Sequence, residues 1–206
     1  SDNKEIATIL NDYFSSVFIN EDTGHIPRAS AAECEDSVSN LVVNETDIAK
    51  KIDKLKESSA PGADKITVKI LKMFKDELVV PLAQIFNSSI SSSMVPRDWR
   101  DANVTPIFKK GKRTAAKNYR PVSLTSIPCK ILESLLKDVI VDHLVTRSLI
   151  KNTQHGFMNK RSCLTNLLEF LEYLTDEMDN GFSTDLVYLD FSMHSIQSLN
   201  KDCWKK

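Results

Sequence analysis

The chain has 206 residues, 41% hydrophobic and 27% charged, with only five Gly and seven Pro, which excludes disorder throughout and fits one or two globular domains. Its formal net charge of −1, from 27 Lys and Arg against 28 Asp and Glu, excludes a uniformly basic nucleic-acid binder. The charges are unevenly placed: residues 1–49 carry two basic and ten acidic side chains, residues 103–132 seven basic and none acidic, and residues 164–192 seven acidic and none basic.

Ile6, Ile9, Leu10, Tyr13, Phe14, Val17 and Phe18 recur at helical spacing and predict an amphipathic helix. Gly24 and Pro27 interrupt that period, and the polar, acidic run around them reads as a linker over residues 20–44. Asn44 or Thr46 is placed to cap a short helix with the stripe Ile48, Ile52 and Leu55, stopped by the run Ser58-Ser59-Ala60-Pro61-Gly62. From Asp64 to Ser93 the pattern is again helical, with Pro81 expected to mark a kink or a junction between two helices. Residues 78–96 carry no charge, but two Pro, five Ser, Gln84 and Asn87 argue against a membrane span.

The period then changes. Residues 103–108 and 119–125 read as two strands joined by the basic stretch KKGKRTAAKN, a hairpin with a charged tip. Two helices are expected near 130–146 and 162–178, and Gly181 breaks the pattern before a strand over 185–191. Cys34, Cys129, Cys163 and Cys203 lie far apart without metal-ligand spacing, which argues against a zinc site and a disulfide scaffold and for a reducing compartment. The chain opens without an initiator Met or a secretory signal, read as an intracellular (nuclear or cytoplasmic) fragment that is not secreted.

Seven blocks in the order APGADKI, PLAQIFNSSI, VPRDWRDANVTPIFKKGKR, NYRPVSLTS, KILE, LIKNTQHGFMNKRSCLTNLL and VYLDFS occupy residues 60–192. Together they resemble the front of a reverse transcriptase of the non-LTR (LINE-type) retrotransposon class. The resemblance implies an α+β chain, largely helical with a basic β-hairpin: the fingers and first palm strand of a right-hand polymerase, truncated. The domains expected on it are a helical segment and linker over 1–58, fingers and partial palm over 59–192, and a divergent tail over 193–206.

The resemblance assigns Lys109, Lys110 and Arg120 to the triphosphate of the incoming nucleotide. An Arg fork and Lys ammonium groups suit phosphate oxygens, although on composition alone a solvated basic hairpin is the commoner outcome. It assigns Gln154, Gly156, Phe157 and Arg161 to template contact. Gly156 would let the backbone approach a sugar-phosphate chain, and Ser162 is better read as the cap of the helix that follows. His155, without a metal-binding or nucleophilic neighbour in the sequence, reads as structural. Asp190 falls on the first metal-binding aspartate, where Mg²⁺ would activate a primer hydroxyl, and hard cations demand oxygen ligands. RNA template, DNA primer and nucleotide triphosphate are the implied partners, with no membrane.

After LDFS the family continues with Lys, Ala, an aromatic residue and Asp, where this chain has Met193, His194, Ser195 and Ile196. Ser195 thus stands where the aromatic side chain would screen a ribose 2′-hydroxyl. Ala63 and Lys65 stand where the family often has Pro and Gly, and Asp64 reads as a helix cap. The paired-Asp motif that would complete the metal site is missing. The expectation is a reverse-transcriptase-derived chain incompetent for catalysis alone and marginal in stability. The alternative is a non-catalytic nucleic-acid-binding or protein-interaction module.

Overall fold

The structure is a computed structural model that describes residues 2–17, 38 and 41–189. These fall into two units, one ending at Asp138 and the other starting at Val139.

In the first unit, α1 (Asn3–Ser16) starts at Asp2, whose carboxylate accepts the Lys4 N–H. Of its apolar stripe Phe14 is buried, while Ile6 and Ile9 stay exposed. The helix lies against a 3₁₀ turn (Ala116–Asn118) at the tip of the hairpin. Helix α2 (Glu45–Asp53) starts after Asn44, which stands at the cap position without a side-chain cap hydrogen bond, and buries Ile48 and Ile52 completely. Its entry is fixed by Asn87, whose side chain accepts the Val43 N–H at 2.8 Å and donates to the Val43 carbonyl at 3.0 Å. Both backbone groups of a buried residue are thereby satisfied without a strand partner.

The helical stretch beyond Asp64 divides at Phe74, not at Pro81. Helix α3 (Val68–Met73) is capped by Thr67, whose hydroxyl accepts the Ile70 N–H. Asp64 is therefore not the cap. Its Oδ1 instead accepts the Ile66 N–H across a turn in which Lys65 takes a left-handed φ of 60°, a conformation costing a non-glycine residue about 1–2 kcal/mol. Helix α4 (Lys75–Ser92) continues through Pro81. That proline is solvent-exposed, as is Glu77, so the carbonyl deprived of its N–H partner can be hydrated.

A short helix, α5 (Arg97–Arg100), leads into β1 (Asn103–Phe108), which pairs antiparallel with β2 (Tyr119–Leu124). Helix α6 (Ile127–Thr146) follows. The apolar core of this unit is built by α2, α3, α4 and the first half of α6, with Phe86, Ile127 and Ile131 at its centre. It draws on residues from both sides of position 58. Trp99 closes it edge-on against Phe86, with ring centroids 5.6 Å apart. Lys51 ties α2 to α6 through Ser134 Oγ at 2.7 Å and the Asp138 carboxylate at 2.5 Å.

Gly62 sets the position of the hairpin relative to this core. A Cβ there would lie 2.4 Å from the Ser126 nitrogen and 2.5 Å from the Thr125 carbonyl carbon. The APGAD loop thus presses its backbone onto the chain where β2 gives way to α6. Ser126 is fully buried, and its Oγ accepts the Cys129 N–H at the start of α6.

In the second unit, α7 (Cys163–Asp179) is capped by Ser162 in a reciprocal capping box with Thr165. None of its residues is buried. The strand expected over 185–191 is not formed in its described part: residues 182–189 have no regular structure, and Val187, Tyr188 and Leu189 are exposed. A strand needs a neighbouring backbone for its N–H and C=O groups, and the described sheet contains β1 and β2 alone. Most of the expected linker, Asp190 and the tail from Met193 lie outside the described residues. No described helix is long and apolar enough to cross a membrane.

Two predictions follow from this packing. Gly62→Ala should lower stability by about 3 kcal/mol, the upper range for overpacking, because the obstructing atoms are backbone. A thermal melt should register a fall of roughly 10 °C; an unchanged midpoint would mean that the loop does not press on Ser126. Burial, aided by the Glu133 carboxylate, pushes the Cys129 thiol up to about 11. At pH 8 its thiolate fraction is then about one in a thousand. Alkylation followed by peptide mapping should label exposed Cys163 and spare Cys129 until the chain is unfolded.

Candidate nucleic-acid interface

The hairpin is a built element with an organised tip. Lys109 N–H donates to the Asn118 carbonyl at 2.8 Å, continuing the register that pairs Ile107 with Arg120 and Phe108 with Tyr119. In that register Pro106 and Pro121 oppose each other at a non-hydrogen-bonded pair, where an N–H would point away from the ladder. Their missing donors cost nothing, and both outer edges are poor templates for a further strand.

Gly111 turns with φ 91°, and Asn118 braces the turn by donating from Nδ2 to the Lys112 carbonyl. Tyr119 reaches across with its hydroxyl to the Arg113 carbonyl at 2.9 Å, and the Arg113 guanidinium stacks over Phe108 at 5.0 Å. Phe108 and Tyr119 also meet edge-on, with centroids 5.5 Å apart.

Lys109 shares strand parity with Ile107, and Arg120 stands directly opposite Ile107, so Lys109 and Arg120 lie on one face of the hairpin. Lys109 and Lys110 both follow the end of β1 at Phe108, Lys109 continuing its ladder through the bond to Asn118. All three side chains are exposed, and among the described residues none of Lys109, Lys110, Lys112, Arg113, Lys117 or Arg120 has an ion-pair partner. Cations held on a braced loop without carboxylates are suited to phosphate oxygens.

The other four candidates lie on one loop of the second unit, between α6 and α7. Gln154 donates from Nε2 to the Gly156 carbonyl at 3.0 Å. Arg161 Nη1 donates to the carbonyls of Asn152 and Gln154, so any template contact by Arg161 falls to its remaining nitrogens. Phe157 takes a left-handed φ of 62° and is 99% exposed. Gly156 has no close neighbour to exclude a side chain: a Cβ there would meet Gln154 Nε2 alone, at 3.4 Å.

His155 is the residue whose role sequence reasoning left incomplete. One ring nitrogen hydrogen-bonds with Thr165 Oγ1 at 2.9 Å, and Nε2 donates to the Glu169 carboxylate at 2.5 Å. The signal available in the sequence was the spacing of Thr165 and Glu169, four apart on one helix face. Asn118 was likewise legible only as a turn residue.

Asp190 lies outside the described residues. Among the described residues no three His, Cys, Asp or Glu side chains converge as a metal site.

No protein-family model matches the chain. Among curated proteins it is 26% identical over 145 residues to a probable RNA-directed DNA polymerase from transposon BS of Drosophila melanogaster, covering 70% of this chain and 16% of that protein. It is 29% identical over 130 residues to the RNA-directed DNA polymerase from mobile element jockey of the same species, covering 63% and 14%. The jockey polymerase of Drosophila funebris is 31% identical over 134 residues, covering 61% and 15%. The chain thus spans 14 to 16% of the length of these relatives.

Neither φ nor a close neighbour demands glycine at position 156, so the expectation that a template strand approaches its backbone can be tested without disturbing the fold. Gly156→Ala should leave the melting temperature unchanged or slightly higher while weakening single-stranded RNA binding about fivefold, or ~1 kcal/mol. A fall of several degrees with unchanged binding would make the glycine structural.

Proposed function

We propose that this chain, related in sequence to the RNA-directed DNA polymerases of mobile elements, is reverse-transcriptase-derived and provides the fingers-side grip on nucleotide and template. The observation that carries the reading is the braced hairpin, which presents Lys109 and Arg120 on one face with Lys110 beside them, all exposed and unpaired among the described residues. Arg120 would engage two phosphate oxygens with its planar fork, and the lysines would add mobile point charges. Gln154, Gly156, Phe157 and Arg161 would meet the template strand. Asp190 is the residue that would hold Mg²⁺, which when bound supplies activation of the primer 3′-hydroxyl and neutralisation of the leaving pyrophosphate.

The sequence given has no Asp-Asp pair, and a Mg²⁺ site takes several oxygen ligands. We therefore propose that the 206-residue polypeptide by itself binds nucleic acid without extending a primer. A non-catalytic nucleic-acid-binding module is the second reading, favoured by the same hairpin.

If the three cations each neutralise a phosphate, the log-log salt dependence of RNA binding should have a slope of about −2 to −3. Replacing all three with Ala should bring it toward zero with little change in circular dichroism. Unchanged affinity and slope would remove the phosphate assignment. In the same mixture, primer, deoxynucleotides and Mg²⁺ should give no extension; extension abolished by Asp190→Ala would show the polypeptide to be catalytic alone.

A further inference from the structure

Phe157 combines two features that folding alone does not explain. A bulky side chain in the left-handed region is an outlier that local structure must hold in place, and this one contributes almost nothing to packing because it is 99% exposed. The loop around it is nevertheless tightly fastened. Met158 N–H donates to the His155 carbonyl, Gln154 turns its amide onto the Gly156 carbonyl, and Arg161 spans back to Asn152 and Gln154. Every one of these bonds lies within the loop. His155 is different: its ring, whose side chain is only 8% exposed, leaves the loop for α7 and is gripped on both nitrogens by Thr165 and Glu169. Thr165 is itself fixed by its capping box with Ser162.

We infer that His155, held by Thr165 and Glu169, is a positioning residue that anchors the loop to the first turns of α7 and presents the Phe157 ring as a stacking platform for an unpaired nucleobase. The inference rests on the reading of this chain as a template-binding protein and deepens it. An exposed ring two residues from a rigid anchor loses little freedom when a base stacks on it, and base–aromatic stacking tolerates any sequence because every base has a π-face. Gly156, between anchor and platform, keeps the approach open.

The experiment compares binding of the full chain to a short oligoadenylate and to a ribose-phosphate oligomer of equal length without bases. Wild type should prefer the base-bearing strand about tenfold, the ratio expected of one stacked base. Phe157→Ala should reduce the ratio to about one. Glu169→Ala, at an exposed helix position where misfolding is not expected, should reduce it several-fold, and Glu169→Gln, which keeps an acceptor for His155, should restore it. The salt slope, which reports phosphate contacts, should be the same in all of them. A ratio unaffected by Glu169→Ala and by His155→Ala would overturn the anchoring role, and a wild-type ratio of one with the slope intact would overturn the platform while leaving the hairpin reading in place. Absence of salt-dependent binding to either oligomer would instead overturn the nucleic-acid reading, and this inference with it.

Discussion

The contact on which the arrangement of the first unit turns is backbone against backbone. Gly62 lies so close to Thr125 and Ser126 that any side chain would overlap main-chain atoms. It joins the loop that ends the N-terminal helical segment to the junction between β2 and α6. The same junction carries Ser126, which is fully buried and caps the first turn of α6, and Ile127 and Ile131, which enter the core directly behind it. The hairpin is thereby seated on the helical core through its root, while its tip is left to chemistry. Packing density explains why the tolerance is so small: two main chains cannot re-pack as side chains do.

A division of labour follows within the hairpin. At its root, the backbone of Thr125 and Ser126 meets Gly62. At its tip, Asn118 and Tyr119 satisfy the Lys112 and Arg113 carbonyls and Arg113 stacks on Phe108, while the remaining cations have no ion-pair partner among the described residues. Polar groups are bonded where they shape the loop and left open where a polyanion would approach. The cost is a concentration of like charge, tolerable because the tip is solvated and screened.

The loop between α6 and α7 follows the opposite scheme. Gln154, His155 and Arg161 turn their polar groups onto the loop itself or onto α7, so a cation that the resemblance assigns to template contact is partly spent on holding carbonyls. Outward the loop offers the ring of Phe157 and the bare backbone at Gly156, flanked by the exposed side chains of Lys151 and Lys160. On the proposed reading the two candidate surfaces would divide their targets, phosphate for the hairpin and base for the loop.

The sequence by itself determined the elements whose signal is local. Periodicity located α1, α2, α6 and α7, because burial of a helix face needs repeats such as Ile48 and Ile52; alternation around a Gly-containing basic turn located the hairpin. It also identified the residue types suited to phosphate. Tertiary structure decided what depends on partners distant in the chain. The break at Phe74 rather than Pro81 was hidden because apolar periodicity runs through both helices, and a proline facing solvent does not have to end one. Asp64 lost the cap to Thr67 because the turn at Lys65 took its carboxylate for Ile66. Residues 185–189, β-prone by composition, form no strand in the absence of a neighbouring backbone among the described residues. His155 acquired a role from Glu169, fourteen positions away, and Gly62 from the backbone of Ser126, distant in the chain but in direct contact. A strand, an anchor and a close approach are properties of pairs, and a sequence read along its length names one member of each without its mate.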